Sequence, residues 1–288
     1  MIKTPEPTSI RQLLEQATRL LHSDSARLDA EVLLACVLGK QRSHLHAWPE
    51  RVPSPATRAQ FAELLQRRVA GEPVAYLTGV REFWSLSLAV TPDTLIPRPE
   101  TETLVALALE KIPADSTARI ADLGTGSGAI ALAIARERPR SQVIATDLSA
   151  TAVAVASRNA RQLGIDNVEF LTGNWCRPLP DTHIDLIVSN PPYIPQDDPH
   201  LDQGDVRFEP RRALAAGPEG MDDLCAIANC AHEHLRSGGW LLLEHGYDQG
   251  DNATRLLAAA GFREVSDHAD DAGLSRVVAG RKQPLQQC

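Results

Sequence analysis

Apolar positions follow a helical period through the N-terminal part of this chain of 288 residues. Residues three and four apart share one face of a helix, so such stripes indicate helices that bury one side. Stripes run over residues 10–21, 28–37 and 59–69. Ser9 precedes the first as an expected N-cap, and Gly39 closes the second. The pattern predicts a small helical domain over residues 1–72.

The period of the apolar positions changes after this domain. Residues 74–80 and 83–90 have the character of strands and predict a β-hairpin. Prolines punctuate the loop that follows, at Pro92, Pro97 and Pro99. We therefore assign residues 73–102 to a hairpin and a proline-rich linker.

Strand and helix patterns then alternate to the end of the chain. Expected strands cover residues 119–123, 142–146, 168–171, 184–188, 240–244, 262–266 and 275–279. Expected helices cover residues 103–111, 129–138, 150–163, 221–235 and 251–260. Such β–α alternation implies a mainly parallel sheet with helices on both faces. Residues 103–288 are thus predicted to form an α/β, Rossmann-like domain.

Composition narrows the possible functions. A formal net charge of −8 argues against a protein that holds duplex DNA mainly through its phosphates. No apolar stretch is long enough for a leader or a membrane span. We therefore expect a cytoplasmic monomer without direct nucleic-acid binding.

The cysteines and histidines give no sign of a metal site. The five cysteines are widely spread and contain no Cys-x-x-Cys pair, which predicts free thiols in a reducing compartment. His232 and His234 are two residues apart, a spacing that places them on different faces of a helix. No metal is expected.

A glycine-rich turn follows the first strand of the α/β domain, at Gly124-Thr125-Gly126-Ser127-Gly128. Its glycines allow a ligand to approach the backbone, and the next helix begins there with free N–H groups. The spacing G-x-G-x-G differs from the G-x-G-x-x-G of dinucleotide sites. A carboxylate, such as that of S-adenosylmethionine, can use the same N–H groups. NAD remains an alternative ligand.

Two further residues favour a nucleoside at this turn. Asp147 ends the second strand, where a carboxylate accepts hydrogen bonds from ribose hydroxyls. Trp175 follows the third strand and can pack against an adenine ring, although burial in the core would also explain it. Ligands of open sheets bind beyond the carboxyl ends of the strands, so these residues and Gly124 are expected along one edge.

Asn190-Pro191-Pro192-Tyr193 follows the fourth strand and indicates methyl transfer to a planar NH2 nitrogen. Such a nitrogen is a poor nucleophile, so a site must bind both of its hydrogens and orient its lone pair. The Asn190 side-chain oxygen and a backbone carbonyl at Asn190 or Pro191 can do this, since proline fixes the backbone. Tyr193 offers a flat face for the acceptor group. NAD does not explain this motif.

Several motifs together resemble those of the bacterial release-factor glutamine methyltransferases of the PrmC/HemK type. They are Gly71 to Tyr76, Glu82-Phe83-Trp84, Leu95-Ile96-Pro97-Arg98-Pro99-Glu100-Thr101-Glu102, Asp122 to Gly128, Asn190 to Tyr193, Phe208-Glu209-Pro210, Ala213-Leu214 and Ala216-Gly217. The resemblance covers nearly the whole chain. It implies a seven-stranded class I methyltransferase sheet with a small N-terminal helical domain, joined by a β-hairpin.

The resemblance also implies a substrate and a set of site residues. The substrate is the glutamine in the Gly-Gly-Gln motif of class 1 peptide chain release factors, and the helical domain docks it. The S-adenosylmethionine site takes Gly124, Thr125, Gly126, Ser127, Gly128, Asp147, Trp175 and Asn190. The glutamine is held by Asn190, Pro191, Pro192 and Tyr193. Asn174 stands where relatives commonly have an acidic residue, which leaves open which side chain meets the adenine amino group.

Two other functions are compatible with parts of the sequence. Adenine also presents a planar NH2, so an adenine-N6 methyltransferase acting on nucleic acid is the main alternative; the acidic charge opposes it. A non-catalytic binding protein with a decayed methyltransferase fold is the other. The intact Asn190 and glycine turn oppose that reading.

Overall fold

The computed structural model describes residues 8–180 and 183–283, which divide between Gly79 and Val80 into two compact units. The first seven residues, part of the stretch read as lacking an apolar leader, lie outside the described part. The described part of the first unit contains the helices α1 (Ile10–Leu20), α2 (Ala26–Leu38), α3 (Arg42–Ala47), α4 (Pro55–Val69) and α5 (Val74–Thr78). Their apolar faces meet in one core that includes Ile10, Leu14, Leu34, Phe61 and Leu77.

Capping residues set the helix ends that the sequence indicated. The Ser9 hydroxyl accepts a hydrogen bond from the Gln12 backbone N–H, and the Gln12 side chain accepts one from the Ser9 N–H. Gly39 ends α2 at a φ of +62°, the left-handed conformation that glycine favours. The three predicted helical stripes are confirmed. Helix α3 was not predicted, because six residues are too few to show a periodic stripe.

The expected strand over residues 74–80 is wrong, because Val74–Thr78 form a helix. Pro73 precedes this helix, and Gly79 ends it at a φ of +73°. Leu77 is buried in the helical core and Val74 packs against it. Burial of one helical face therefore outweighs the strand preference of these residues.

A short hairpin opens the second unit. Strand β1 (Val80–Phe83) pairs antiparallel with β2 (Leu86–Ala89). The two turn residues, Trp84 and Ser85, have φ values of +50° and +58°, the doubly positive conformation that suits a tight hairpin.

The main sheet of the second unit has seven strands, as the resemblance implied. They are β3 (Arg119–Leu123), β4 (Gln142–Asp147), β5 (Val168–Thr172), β6 (Ile184–Ser189), β7 (Leu235–Glu244), β8 (Phe262–Ala269) and β9 (Ser275–Lys282). Their order across the sheet is β5-β4-β3-β6-β7-β9-β8. Among these strands β9 runs antiparallel to both of its neighbours, β7 and β8, and the other six run in one common direction. The strand order reverses direction between β3 and β6, where a crevice forms.

Helices cover both faces of this sheet. One core contains side chains from α6 (Glu102–Lys111), α7 (Ala129–Glu137) and α8 (Ala150–Leu163). The opposite core contains side chains from α9 (Asp222–His234) and α10 (Gly250–Ala259). Alternate residues of β3 enter opposite cores, Ile120 one and Ala121 the other, as the pleat requires. Within the described ranges, no helix has the length and apolar character needed to cross a bilayer.

The expectation that all cysteines are free thiols is wrong for one pair. Cys176, which follows β5, forms a disulfide with Cys230 on α9, and their Cα atoms are 6.0 Å apart. The two residues are 54 positions apart in the sequence, so only the packing of α9 against the sheet brings them together. Cys36 and Cys225 are free, and Cys288 lies outside the described residues.

Candidate active site

The glycine turn and the Asn-Pro-Pro-Tyr motif leave the sheet side by side. Leu123 and Ser189 are the last residues of β3 and β6 and are paired in the parallel register. Gly124 and Asn190 are the next residues along each strand. The fold therefore brings together two motifs more than sixty residues apart in the sequence.

The glycine turn adopts conformations that other residues rarely take. Gly124 has a φ of +76° and Gly126 a φ of +55°. A Cβ atom on Gly124 would lie 3.1 Å from Cζ3 of Trp175, whereas one on Gly126 would meet no atom within 4 Å. Gly124 therefore lets the indole approach, and Gly126 presents bare backbone to open space.

Asp122 anchors the turn from inside the protein. Its Oδ2 accepts hydrogen bonds from the Thr125 hydroxyl at 2.7 Å and from the Ala131 N–H at 3.1 Å. The carboxyl is fully buried, and burial raises the pKa of Asp122 to about 7, although the two hydrogen bonds act to lower it. This buried acid was not predicted as an anchor, although it opens the glycine motif.

Asp147 holds the outer side of the same turn. Its Oδ2 accepts from the Gly126 N–H at 2.9 Å, and its Oδ1 accepts from the Ser149 N–H at 2.8 Å. Both carboxylate oxygens thus contact backbone N–H groups, while each retains further lone pairs. The residue expected to bind a ribose also fixes the glycine turn relative to α8.

A cavity of about 400 Å³ lies over these turns. Six of the predicted residues line it: Gly124, Gly126, Asp147, Trp175, Asn190 and Pro192. The predicted residues Thr125, Ser127 and Gly128 do not appear in its described lining. They are buried in the turn behind it, where the Ser127 carbonyl accepts a hydrogen bond from Asn159 at 2.8 Å. Asn174, the departure from the family pattern, does line the cavity.

Trp175 forms part of the cavity wall in an unusual backbone conformation. Its φ is +47°, a region that bulky residues rarely occupy and that is often found at functional sites. Its carbonyl accepts a hydrogen bond from the Thr146 hydroxyl at 3.1 Å, which holds this conformation. Burial and the charge of Asp222 raise the pKa of the nearby Asp223 carboxyl, while the Trp175 indole acts to lower it.

A second, smaller cavity of about 150 Å³ adjoins the first. Its lining includes Arg98, Tyr193, Ile194, Val206 and Leu214. Leu95, Asn190 and Ala213 line both cavities. Asn190 therefore lies where the two spaces meet, with Pro192 on the large cavity and Tyr193 on the small one. Pro191 is buried and belongs to the described lining of neither cavity.

The Asn190 side chain is oriented by a residue of the proline-rich loop. Its Nδ2 donates a hydrogen bond to the Thr101 hydroxyl at 3.1 Å. Thr101 is 4% exposed and ends the 3-10 turn Pro99–Thr101. Thr101 belongs to a motif that carried the family resemblance, but nothing in the sequence indicated this contact.

The rest of the proline-rich loop is held against the small cavity. The Ile96 N–H donates to Oε2 of Glu209 at 2.9 Å, and the Arg98 guanidinium forms an ion pair with the same carboxylate. The Glu209 side chain is fully buried in this ion pair. A loop interpreted as an interdomain linker thus also forms a wall of the site.

Glu244 is a site residue that the sequence interpretation missed. It ends β7 and is 1% exposed, and Tyr193 donates its hydroxyl proton to Oε1 at 3.3 Å. Burial raises the pKa of Glu244 to about 7, while the Thr101 side chain, the charge of Arg276 and the Tyr193 hydroxyl act to lower it. Its Oε2 has no hydrogen-bond partner among the described residues. The sequence does contain a signal for this residue, because an acidic side chain ends an apolar strand at the edge of the sheet where ligands bind.

The side chains of the described residues do not meet the requirements of a metal site. Within the described ranges, no group of three or more His, Cys, Asp or Glu side chains is arranged to hold a metal ion.

The sheet order and the glycine turn at its central strand define a class I methyltransferase fold. A solved methyltransferase from Pyrococcus furiosus has this fold: its TM-score is 0.53 at 17% identity, covering 77% of this chain and 99% of that one. The family model of the PrmC N-terminal domain matches residues 12–79, and that of the methyltransferase small domain matches residues 101–205.

Two curated relatives extend the match to nearly the whole chain. The release factor glutamine methyltransferase of Coxiella burnetii is 49% identical over 282 residues, covering 98% of this chain and 100% of the relative. That of Salmonella typhimurium is 52% identical over 272 residues, covering 94% and 98%. The chain belongs to the release factor glutamine methyltransferase family.

Proposed function

We propose that this protein transfers a methyl group from S-adenosylmethionine to the side-chain amide nitrogen of the glutamine in the Gly-Gly-Gln motif of class 1 peptide chain release factors. The observation that carries the proposal is the position of Asn190 at the junction of two cavities. One cavity has the size and lining for a nucleoside-bearing donor, and the other is small enough to suit one side chain. An acceptor amide at Asn190 would lie between them.

The residues around the larger cavity fit S-adenosylmethionine. Gly126 leaves open space over its backbone, Asp147 keeps unused lone pairs for ribose hydroxyls, and Trp175 presents an indole for the adenine. When bound, S-adenosylmethionine supplies the methyl group on an electrophilic sulfonium that leaves as a neutral thioether. The chain therefore needs no nucleophilic side chain of its own. Its task is to place and orient the acceptor.

Asn190 would orient the acceptor amide. Because its Nδ2 is directed at Thr101, its Oδ1 is the end of the amide free to accept a hydrogen bond from the glutamine NH2. The backbone carbonyl of Asn190 or Pro191 would accept the second hydrogen, and the prolines hold that backbone rigid. Two such bonds orient the nitrogen lone pair, and Tyr193 would cover the flat face of the carboxamide.

The remaining parts of the proposal concern the partner. We assign release-factor docking to the N-terminal helical domain, residues 1–72, to whose core α5 also adds Leu77. We assign the linker role to the hairpin and the proline-rich loop within residues 73–102. The net charge of −8 supports a protein partner rather than nucleic acid. We propose that the protein acts in the cytoplasm as a monomer.

Parallel assays with one labelled methyl donor test the function against the adenine-N6 alternative. The protein is incubated with S-adenosylmethionine carrying a deuterated methyl group and either a class 1 release factor or duplex and single-stranded DNA. Mass spectrometry should find the labelled methyl on the Gly-Gly-Gln peptide, and none on adenine. Replacing that glutamine by glutamate in the release factor should abolish the label. Methylation of DNA alone, or of no acceptor, would overturn the proposal.

A further inference from the structure

We propose that Thr101 is a positioning residue that holds the Asn190 amide with its Oδ1 toward the junction of the two cavities. The inference deepens the proposed function and rests on it. Thr101 lies away from the described cavity linings, so it acts through Asn190 rather than on the substrate.

The need for such a device follows from the shape of an asparagine side chain. The oxygen and NH2 ends of the amide are nearly equal in size, so packing alone discriminates poorly between its two orientations. In the flipped orientation Asn190 would present its own NH2 to the NH2 of the acceptor. Two donors would then face each other, and the directed hydrogen bond would be lost.

Thr101 is the direct contact that opposes this flip. Its hydroxyl accepts from Asn190 Nδ2 at 3.1 Å, in a buried position where water does not compete. In this arrangement the Thr101 oxygen holds the NH2 end of the Asn190 amide and leaves its Oδ1 to face the cavities.

The test compares Thr101→Val, which keeps the shape and removes the hydroxyl, with Thr101→Ser, which keeps the hydroxyl. Thr103→Val, at the start of α6, is the matched control. In Thr101→Val we expect kcat on release factor to fall by at least about tenfold, with the KM for release factor and the Kd for S-adenosylmethionine within about threefold. Thr101→Ser should restore kcat to within about threefold, and the control should match the wild type.

A double mutant separates positioning from a general structural role. In an Asn190→Ala background, Thr101→Val should cause no further loss of kcat, because no amide remains to orient. Additive losses, or a fully active Thr101→Val, would overturn the inference. Should Thr101→Val fail to fold, Thr101→Ala provides the second test, because it removes the hydroxyl without introducing a group that could clash; full activity of that variant counts against the inference.

A readout independent of turnover keeps this result apart from the proposed function. In ¹⁵N NMR spectra, the Asn190 side-chain NH2, assigned by its absence in Asn190→Ala, should exchange slowly with solvent in the wild type and faster in Thr101→Val. A wild type that methylates no release factor overturns the proposed function, whereas unchanged exchange in Thr101→Val overturns only the inference.

Discussion

The Ser189 hydroxyl donates a hydrogen bond to the Leu123 carbonyl at 2.6 Å, in a fully buried position. This bond joins the ends of β6 and β3 at the point where the two functional motifs begin. It therefore helps to set the distance between the glycine turn and Asn190.

Replacing Ser189 by alanine removes that bond while leaving the strands paired. We expect Ser189→Ala to lower the free energy of unfolding by about 1 kcal/mol, measured by urea denaturation. We also expect a fall in kcat larger than any change in cofactor Kd, because the junction at Asn190 loosens. Ser157→Ala, on α8, is the control. A variant as stable and as active as the wild type would contradict this role.

Asn190→Ala should reduce turnover by at least about a hundredfold, because the acceptor nitrogen loses the group that orients it. Cofactor affinity should change only modestly, since Asn190 is one of many residues around the larger cavity. Steady-state kinetics and calorimetry measure the two effects separately. The exposed Asn252→Ala on α10 serves as control. Near-normal turnover of Asn190→Ala would reject its assignment as the catalytic residue.

Asp147→Ala should weaken S-adenosylmethionine binding by at least about tenfold. The carboxylate would bind the ribose, and it also accepts from the N–H groups of Gly126 and Ser149, so its loss releases the turn as well. Calorimetric titration gives the Kd, with the exposed Asp166→Ala as control. Unchanged affinity in Asp147→Ala would refute both roles.

Asp122 predicts a pH dependence of stability. Its pKa is about 7 in the folded protein and 3.8 without the fold, so the folded protein holds this proton more tightly between about pH 4 and pH 7. Its contribution to the free energy of unfolding is complete below pH 4 and is lost as the pH rises through 7. The slope is at most about 1.4 kcal/mol per pH unit.

Denaturation at pH 5, 6, 7 and 8 measures this slope. Glu244, whose pKa is also raised, likewise loses its contribution to stability as the pH rises. Asp198 and Asp270, whose pKa values are lowered, lose their contribution to stability as the pH falls. The difference between the wild type and Asp122→Asn isolates one carboxyl, and the variant should show the flatter profile. Identical slopes would rule out the titration of Asp122 in this range.

The Cys176–Cys230 disulfide predicts a redox-dependent stability. A disulfide that closes a loop across 54 positions lowers the conformational entropy of the unfolded chain, which stabilises the folded protein by about 4 kcal/mol. Without reductant, Cys230→Ser should be less stable than the wild type by an amount of this order, and with reductant the difference should nearly vanish. Cys225→Ser is the control on the same helix. If the wild type and Cys230→Ser are equally stable both with and without reductant, the bond does not form in solution.

Local sequence signals determined most of the elements and the location of the site. Helix α8 spans the 150–163 predicted from its apolar period, and β4 ends at Asp147 as expected. The glycine turn and the Asn190 motif are recognisable in the sequence because each follows a strand and depends on an unusual backbone. Glycine permits conformations that other residues avoid, and proline fixes its own. Parallel alternation then brings their strand ends to one edge.

Tertiary structure alone decided which side chains serve those motifs. Thr101 and Asn190 are 89 residues apart, and no periodic or spacing signal connects a loop threonine to a strand-end asparagine. The same holds for the disulfide and for α5, where burial against neighbouring helices overrode a strand preference. Sequence patterns report a residue's own backbone and the face that it buries, whereas the partner of a buried polar group depends on how distant elements pack.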